Sequence, residues 1–206
     1  MAPNNNITLR PPTEDDIPEM LDVFVSAFQD SLLNPHCFPE SDPQSLKGHR
    51  SLIENNLPEL LVAEDSSTSG KRPILGWARW VRKPTPAPRI TMTDDMYPPT
   101  GDQDLARRFF QANFDAAARI LNGRPHWFLS LIVVRRDAQR RGVGSAMMRY
   151  GLDRADEEGW LAYLNSSVEG RPLYEAFGFR TIEKTEFDHG IVAWHMLKKP
   201  MGAVKN

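Results

Sequence analysis

Trp127-Phe128-Leu129-Ser130-Leu131-Ile132-Val133-Val134-Arg135-Arg136-Asp137-Ala138-Gln139-Arg140-Arg141-Gly142-Val143-Gly144-Ser145 is the stretch that decides the fold. Its first eight residues are apolar apart from Ser130, the signature of a central strand buried on both faces. Gly142 and Gly144 make a turn, and the segment after them places Met147, Met148, Gly151, Leu152 and Ala155 on one helix face before Gly159 closes it. The order is strand, glycine turn, helix.

The first amide N–H groups of such a helix have no intrahelical partner, so the turn offers donors to an anion and its glycines allow close approach. Arg135, Arg136, Arg140 and Arg141 lie at or just before the helix start, while Asp153, Asp156, Glu157 and Glu158 crowd its other end. Both ends oppose the macrodipole, at about 0.3–1 kcal/mol for each mismatch. A bound polyanion relieves the N-terminal half, and a rule broken twice in one helix points to a functional constraint. A nucleotide-hydrolysing P-loop is excluded because Ser145-Ala146, not Lys-Ser or Lys-Thr, follows Gly144. A dinucleotide fingerprint is excluded because Met147 holds its third glycine position and Trp160 to Asn165 lacks the acidic residue.

Outward from this core, Trp160–Asn165 reads as a further strand. Pro172–Phe177 reads as a short helix that Gly178 closes in a left-handed conformation, and Phe179–Phe187 with Ile191–Leu197 as a hairpin turning at Asp188-His189-Gly190. Upstream, Ile7–Arg10 is a short edge strand cut off by Pro11-Pro12. Thr13 to Asp16 starts a helix carrying Ile17, Met20, Leu21, Phe24 and Phe28, the two phenylalanines as core. Leu57–Glu64 and Ile74–Val81 form a hairpin around the turn Ser66 to Lys71. Five prolines fall in positions 83–104, which read as a mobile loop over a substrate, and a helix runs from Asp104 to Leu121 ahead of Asn122-Gly123. The class is α/β: one domain with a mixed, twisted central sheet flanked by helices.

Composition narrows the function. The chain has 206 residues, a formal net charge of −2 and one cysteine, Cys37. One domain with a full core is expected, without an intrachain disulfide or a zinc site. Neither a signal peptide nor a stretch of about 18 apolar residues occurs, so a cytoplasmic protein is expected. The balanced charge gives no general attraction to nucleic acid or membrane, and anion recognition falls to the local arginine cluster. His36-Cys37 has the elements of a thiolate nucleophile, but with no third residue to orient it the thiol reads as a small apolar side chain.

Two motifs together carry a resemblance. Gln139-Arg140-Arg141-Gly142-Val143-Gly144 after Leu131–Val134 resembles motif A of the GNAT superfamily of acetyl-CoA-dependent N-acetyltransferases. Leu173-Tyr174-Glu175-Ala176-Phe177-Gly178-Phe179, about 30 residues on, resembles its motif B. The likeness is strong from Trp127 to Leu197, and Ser167 to Tyr174 is spelled most like members common in filamentous fungi. It implies an acceptor-side half at 1–125, containing the proline-rich loop 83–104, an acetyl-CoA-binding half at 126–199 and a tail at 200–206.

The resemblance implies that the turn Gln139, Arg140, Arg141, Gly142, Val143, Gly144 and Ser145 binds the coenzyme A pyrophosphate. It also implies that main-chain groups of Ile132, Val133 and Val134 pair with the pantetheine arm. Ser167 stands where many relatives have a coenzyme-contacting Asn and offers a shorter polar contact. Tyr174 is the implied catalytic acid: a phenol can protonate a departing thiolate held within hydrogen-bond reach. Transfer is then direct, within a ternary complex, and no metal is involved. Relatives often carry a Glu in the motif A strand as base, but His126 to Val134 has no carboxylate. Glu64, His126, Asp94 or Asp95 remain as substitutes, or the amine arrives neutral. Three functions follow: acetylation of a small-molecule amine, acetylation of a protein or peptide, and non-catalytic acyl-CoA binding. The chain could act as a monomer or a homodimer.

Overall fold

The computed structural model describes residues 6–67, 69–70, 72–85, 88 and 90–202. Among the described residues seven strands form one sheet: β1 (Ile7–Arg10), β2 (Leu60–Asp65), β3 (Ile74–Lys83), β4 (His126–Val134), β5 (Leu161–Ser166), β6 (Arg180–Glu186) and β7 (Val192–Lys198), in the order β1-β2-β3-β4-β5-β7-β6. The β4–β5 pair alone is parallel, so the sheet is mixed as expected. The α-helices among the described residues are α1 (Ile17–Phe28), α2 (Asn34–Cys37), α3 (Pro43–Glu54), α4 (Gln103–Leu121), α5 (Val143–Glu157) and α6 (Arg171–Ala176).

Each face of the sheet is covered by different helices. On one face α1 closes over β3 and β4 with α3 against its flank, burying Met20, Leu21, Phe24 and Ile53 on Trp77 and Val133; α4 lies over β7. On the other face α5 spans β1 to β5, burying Met147, Met148, Leu152 and Ala155 against Leu75, Ala78, Trp80 and Leu129. Gly151 is where α5 approaches closest: a Cβ there would stand 2.1 Å from the Trp80 ring, whose Nε1–H donates to the Met147 carbonyl at 3.1 Å. Each tryptophan buried this way contributes on the order of 2–3 kcal/mol.

Two readings are corrected. Pro58 breaks the expected strand from Leu57, so Leu57–Glu59 is a 3-10 turn and β2 begins at Leu60. β4 is central in the sheet but not buried on both faces: Trp127, Leu129 and Val133 are buried while Phe128, Ser130, Leu131, Ile132 and Val134 are half-open, because they line a cleft. The stretch of the loop from Ile90 to Asp102 packs against the rest of the fold at several points. Tyr97 is buried, the Thr100 hydroxyl donates to Asp42 at 2.5 Å, and Gly101 packs so closely on the Cys37 carbonyl that a Cβ would overlap it. Residues 86, 87 and 89 of the loop, 68 and 71 of the β2–β3 turn, and 203–206 of the tail lie outside the described residues.

Candidate active site

Two irregularities in β4 create the site. Against β3, Arg79 pairs with Leu131 and Trp80 with Leu129, so Ser130 is an extra residue on β4. One extra residue reverses which side chains face which way. Before it, Trp127 and Leu129 point to the α5 face; after it, Ile132 and Val134 do, and Leu131 and Val133 turn to the α1 face. Against β5, pairing runs from His126–Leu161 to Leu129–Leu164 and stops, although both strands continue. The sheet therefore parts between Ser130–Val134 and Asn165–Ser166, leaving β4 main-chain groups on that side without a strand partner. Of the three residues expected to hold the pantetheine arm, Ile132, Val133 and Val134, all lie on this edge and line the cleft.

Beyond β4 the chain turns and enters α5. Arg140 (φ 61) and Gly142 (φ 89) both adopt the left-handed conformation, which swings Val143 into the helix. The first helical bond is Ala146 N–H to the Gly142 carbonyl, so the amides of Val143, Gly144 and Ser145 have no acceptor in the helix, and no side chain among the described residues caps them. Three of the four arginines are held back by acids: Arg135 by Asp137 (2.6 Å), Arg136 by Asp30 (2.7 Å) and Arg141 by Asp65 (3.1 Å). Arg140 is exposed and has no ionic partner among the described residues. Free amides, a left-handed glycine and an uncommitted guanidinium are the donor set a pyrophosphate requires, so these residues fit coenzyme A. Gln139, Arg140, Gly142, Val143, Gly144, Ser145 and Ser167 line the cleft; Arg141 stands outside it, against Asp65.

Tyr174 reaches the same cleft from α6, across the split from β4. Its ring is 7% exposed and meets Phe179 edge-on at 6.2 Å, and Gly170 lies under it so closely that a Cβ there would come to 2.9 Å of the ring. Burial pushes the phenol's pKa up, which keeps the proton on at every working pH. Gly178 (φ 87) ends α6 as expected.

The four base candidates separate. Glu64 is buried in an ion pair with Arg10 (2.6 Å) and Asp94 is paired with Arg107 (2.8 Å), both outside the cleft lining. Asp95 is exposed on the rim. His126 lines the cleft with its pKa lowered by burial, but it begins β4, roughly 13 Å along the strand from Ser130 at about 3.3 Å per residue. Sequence reading missed His49, which faces the cleft from α3 and is held neutral by burial. Asp42-Pro43 was the available signal: Asp42 caps α3 by accepting from Gln44 N–H at 2.8 Å. It also missed a buried network beside the split. His195 on β7 lies 2.8 Å from Asn165 Oδ1, Tyr163 O–H donates to the same oxygen at 2.9 Å, and Thr185 Oγ1 lies 2.9 Å from His195 Nε2.

Cys37 packs with Tyr97, Leu105 and Ile191, its thiol pushed up to about 12 by burial, while the His36 ring stacks on His189 at 3.9 Å. A thiol so placed is packing. Among the described residues no group of three or more His, Cys, Asp or Glu could hold a metal ion, and no helix is long and apolar enough to cross a membrane.

One cleft of about 2400 Å³ joins these parts, running from the α5 turn past the split to the space between α1, α3 and α4. Residues 111–200 match the family model described as the acetyltransferase (GNAT) domain. Over those residues the chain is similar to an acetyltransferase domain of the GNAT type. The match covers just under half the chain, and β1–β3 complete the same sheet. Among solved structures, one of histone acetyltransferase HPA2 and related acetyltransferase from Corynebacterium glutamicum is 25% identical, covering 97% of this chain and 99% of its own, with a TM-score of 0.63. A polyamine N-acetyltransferase from Drosophila melanogaster is 12% identical over 94% of this chain and 99% of its own, with a TM-score of 0.67. The NatC complex bound to Gag peptide and CoA contains a chain 12% identical over 94% of this one and 98% of its own, with a TM-score of 0.55. These last two likenesses concern the fold alone.

Proposed function

We propose that this protein acetylates the amine of a small molecule from acetyl-CoA, directly and without an acyl-enzyme. The observation that carries the reading is the continuity of the cleft, from the amides of Val143, Gly144 and Ser145, along the unpaired edge of β4, to the space between α1, α3 and α4. Acetyl-CoA supplies the thioester carbon on which the amine forms its new bond.

The chain's own residues have distinct tasks. The α5 turn and Arg140 bind the pyrophosphate; the edge from Ile132 to Val134 orients the arm, and an amide of that edge donates to the carbonyl oxygen as charge develops there. Tyr174 passes its phenolic proton to the sulfur as the carbon–sulfur bond breaks, and regains a proton from the attacking amine through solvent. The amine loses that proton to water or to His49, the neutral imidazole on the cleft wall. Ile90, Met92, Tyr97 and Pro98 of the proline-rich loop line the acceptor end, which supports a role for the loop in acceptor contacts.

The test is release of free thiol from acetyl-CoA across polyamines, arylamines, amino acids, aminosugars and peptides. Turnover of a small amine with the appearance of its N-acetyl product is expected. Coenzyme A binding without turnover of any amine would leave an acyl-CoA-binding module, and preference for peptides would leave a protein acetyltransferase.

A further inference from the structure

The acceptor end of the cleft is walled by a continuous chain of rings. Phe28 lies 4.6 Å from Phe24, Phe24 4.4 Å from His49, and His49 5.7 Å from Phe38. Phe38 meets Tyr97 and Phe110 edge-on at 6.2 Å each, and Tyr97 stacks on Phe110 at 5.7 Å and 11°. All six line the cleft, although they come from α1, α3, α4 and the segments before α3 and α4. Aromatic faces and edges set out in this way favour a flat partner that can be stacked or met edge-on.

Two polar atoms on the same cleft wall have no hydrogen-bond partner. Ser45 Oγ and Asn113 Oδ1 are buried and unpaired among the described residues, in side chains of residues 3% and 8% exposed. Buried polar groups are almost always satisfied, and one left alone in a lining calls for a ligand group. An amide oxygen only accepts, so the group it awaits is an N–H or O–H donor.

The charges lining the cleft oppose a polycation. Of the arginines on the wall, Arg79 and Arg119 are paired with Glu59 and Glu183, while Arg124 and Arg149 have no carboxylate partner among the described residues. The carboxylate of Asp30 is committed to Arg136, half-buried Asp115 keeps its charge while accepting from the neutral Gln111 amide at 3.1 Å, and Asp95 and Glu169 are exposed at the rim. Among the described residues no fully buried carboxylate lines the cleft, and Asp115 could pair with one ammonium of a polyamine but not with a second and third. A polyamine would leave charges uncompensated along a largely apolar lining.

We propose that the acceptor is an arylalkylamine: one primary amine on an aromatic ring that also carries an N–H or O–H donor. The ring lies in the aromatic wall, the ring donor is taken by Asn113 Oδ1 or Ser45 Oγ, and the amine points along the cleft to the split in the sheet. The inference rests on the acetyltransferase reading and specifies its acceptor.

The test has two arms. Calorimetry measures binding of tyramine, phenethylamine, spermidine and agmatine to the coenzyme A-saturated protein, and thiol release measures kcat/KM for the same amines. Tyramine is expected to exceed spermidine and agmatine at least 30-fold in both. Phe110→Leu, which keeps apolar volume, should lower kcat/KM for tyramine 10- to 100-fold with coenzyme A affinity unchanged. Asn113→Leu should bring tyramine down to the level of phenethylamine. If either substitution unfolds the protein, the wild-type ranking still decides. Preference for spermidine or agmatine, or no tyramine binding to a protein that does bind coenzyme A, overturns the acceptor assignment and leaves the acetyltransferase reading standing. Failure to bind coenzyme A overturns the reading beneath it.

Discussion

His195 Nδ1 lies 2.8 Å from Asn165 Oδ1, joining β7 to β5 at the level where β5 has parted from β4. The bond sets the tautomer: with the proton on Nδ1, Nε2 accepts from the Thr185 hydroxyl at 2.9 Å, and the Tyr163 hydroxyl completes Asn165 Oδ1 at 2.9 Å. His195 is fully buried and burial lowers its pKa, so the ring is neutral. The split in the sheet is thus braced on its β5 side by a satisfied polar cluster in place of ladder bonds.

From this bracing, His195→Ala is expected to lower stability by at least about 2 kcal/mol, combining a cavity with the loss of one of the two donors to Asn165 Oδ1 and of the acceptor for the Thr185 hydroxyl. His195→Gln, which can both donate and accept, should lose less. Urea unfolding of the three proteins checks the order, and equal stability of His195→Ala and wild type would show that the cluster braces nothing.

Tyr174→Phe should lower kcat by about 10²–10⁴ with coenzyme A affinity and stability nearly unchanged. The stability forecast follows from structure: the hydroxyl makes no hydrogen bond to another described residue, so its loss strands no partner. Gly170→Ala offers a second approach, since its Cβ would press on the Tyr174 ring at 2.9 Å and shift the hydroxyl without deleting it. Steady-state kinetics with the best acceptor, with chemistry shown to limit the rate, are the measurement. Wild-type kcat in Tyr174→Phe would reduce the tyrosine to packing.

Gly142 is predicted to matter for two separable reasons. Its φ of 89 makes any other residue strained there, at a cost of about 1–2 kcal/mol, and a carboxylate would also repel the pyrophosphate. Gly142→Ala should lower Tm while retaining most of the stabilisation by coenzyme A; Gly142→Asp should lower Tm and abolish it. Ligand at 100 times its Kd adds about 2.7 kcal/mol in wild type. Thermal shifts that survive in a folded Gly142→Asp would remove the phosphate site from this turn.

Acid should destabilise the fold in two stages. Burial lowers the pKa of His49, His126 and His195 from the ordinary 6.5, so their contribution is whole above that pH and is lost as pH falls toward the lowered folded values. Below about pH 4 a second loss begins at Asp16, held at about 2 by its hydrogen bond to Arg10, which costs on the order of 1–2 kcal/mol once screening at the partly exposed guanidinium is allowed for. Urea midpoints recorded from pH 8 to pH 3 should stay level above about 6.5, decline from there and steepen below 4. A flat profile between pH 7 and 5 would contradict the histidine stage.

Local chemistry made part of this protein readable from its residue order. A left-handed turn at Gly142, an inward face of Met147, Met148, Gly151, Leu152 and Ala155, a stop at Gly178 and an edge strand cut by Pro11 each depend on a few neighbouring residues, whose steric limits travel with the sequence. The two motifs around Gly142 and Tyr174 were legible for the same reason. What tertiary structure alone decided is pairing across long separations. Ser130 became an extra residue only when Arg79 and Trp80 fixed the β3 register, and only that register turned Leu131 and Ile132 to opposite faces. Asn165 and His195, 30 residues apart, read as ordinary polar positions until two strands brought them within a hydrogen bond. Phe24, His49, Phe38, Tyr97 and Phe110 each satisfy a helix or loop pattern as core, yet together they wall a cleft. Periodicity reports that a side chain leaves water; it carries no record of whether protein or an open cavity receives it.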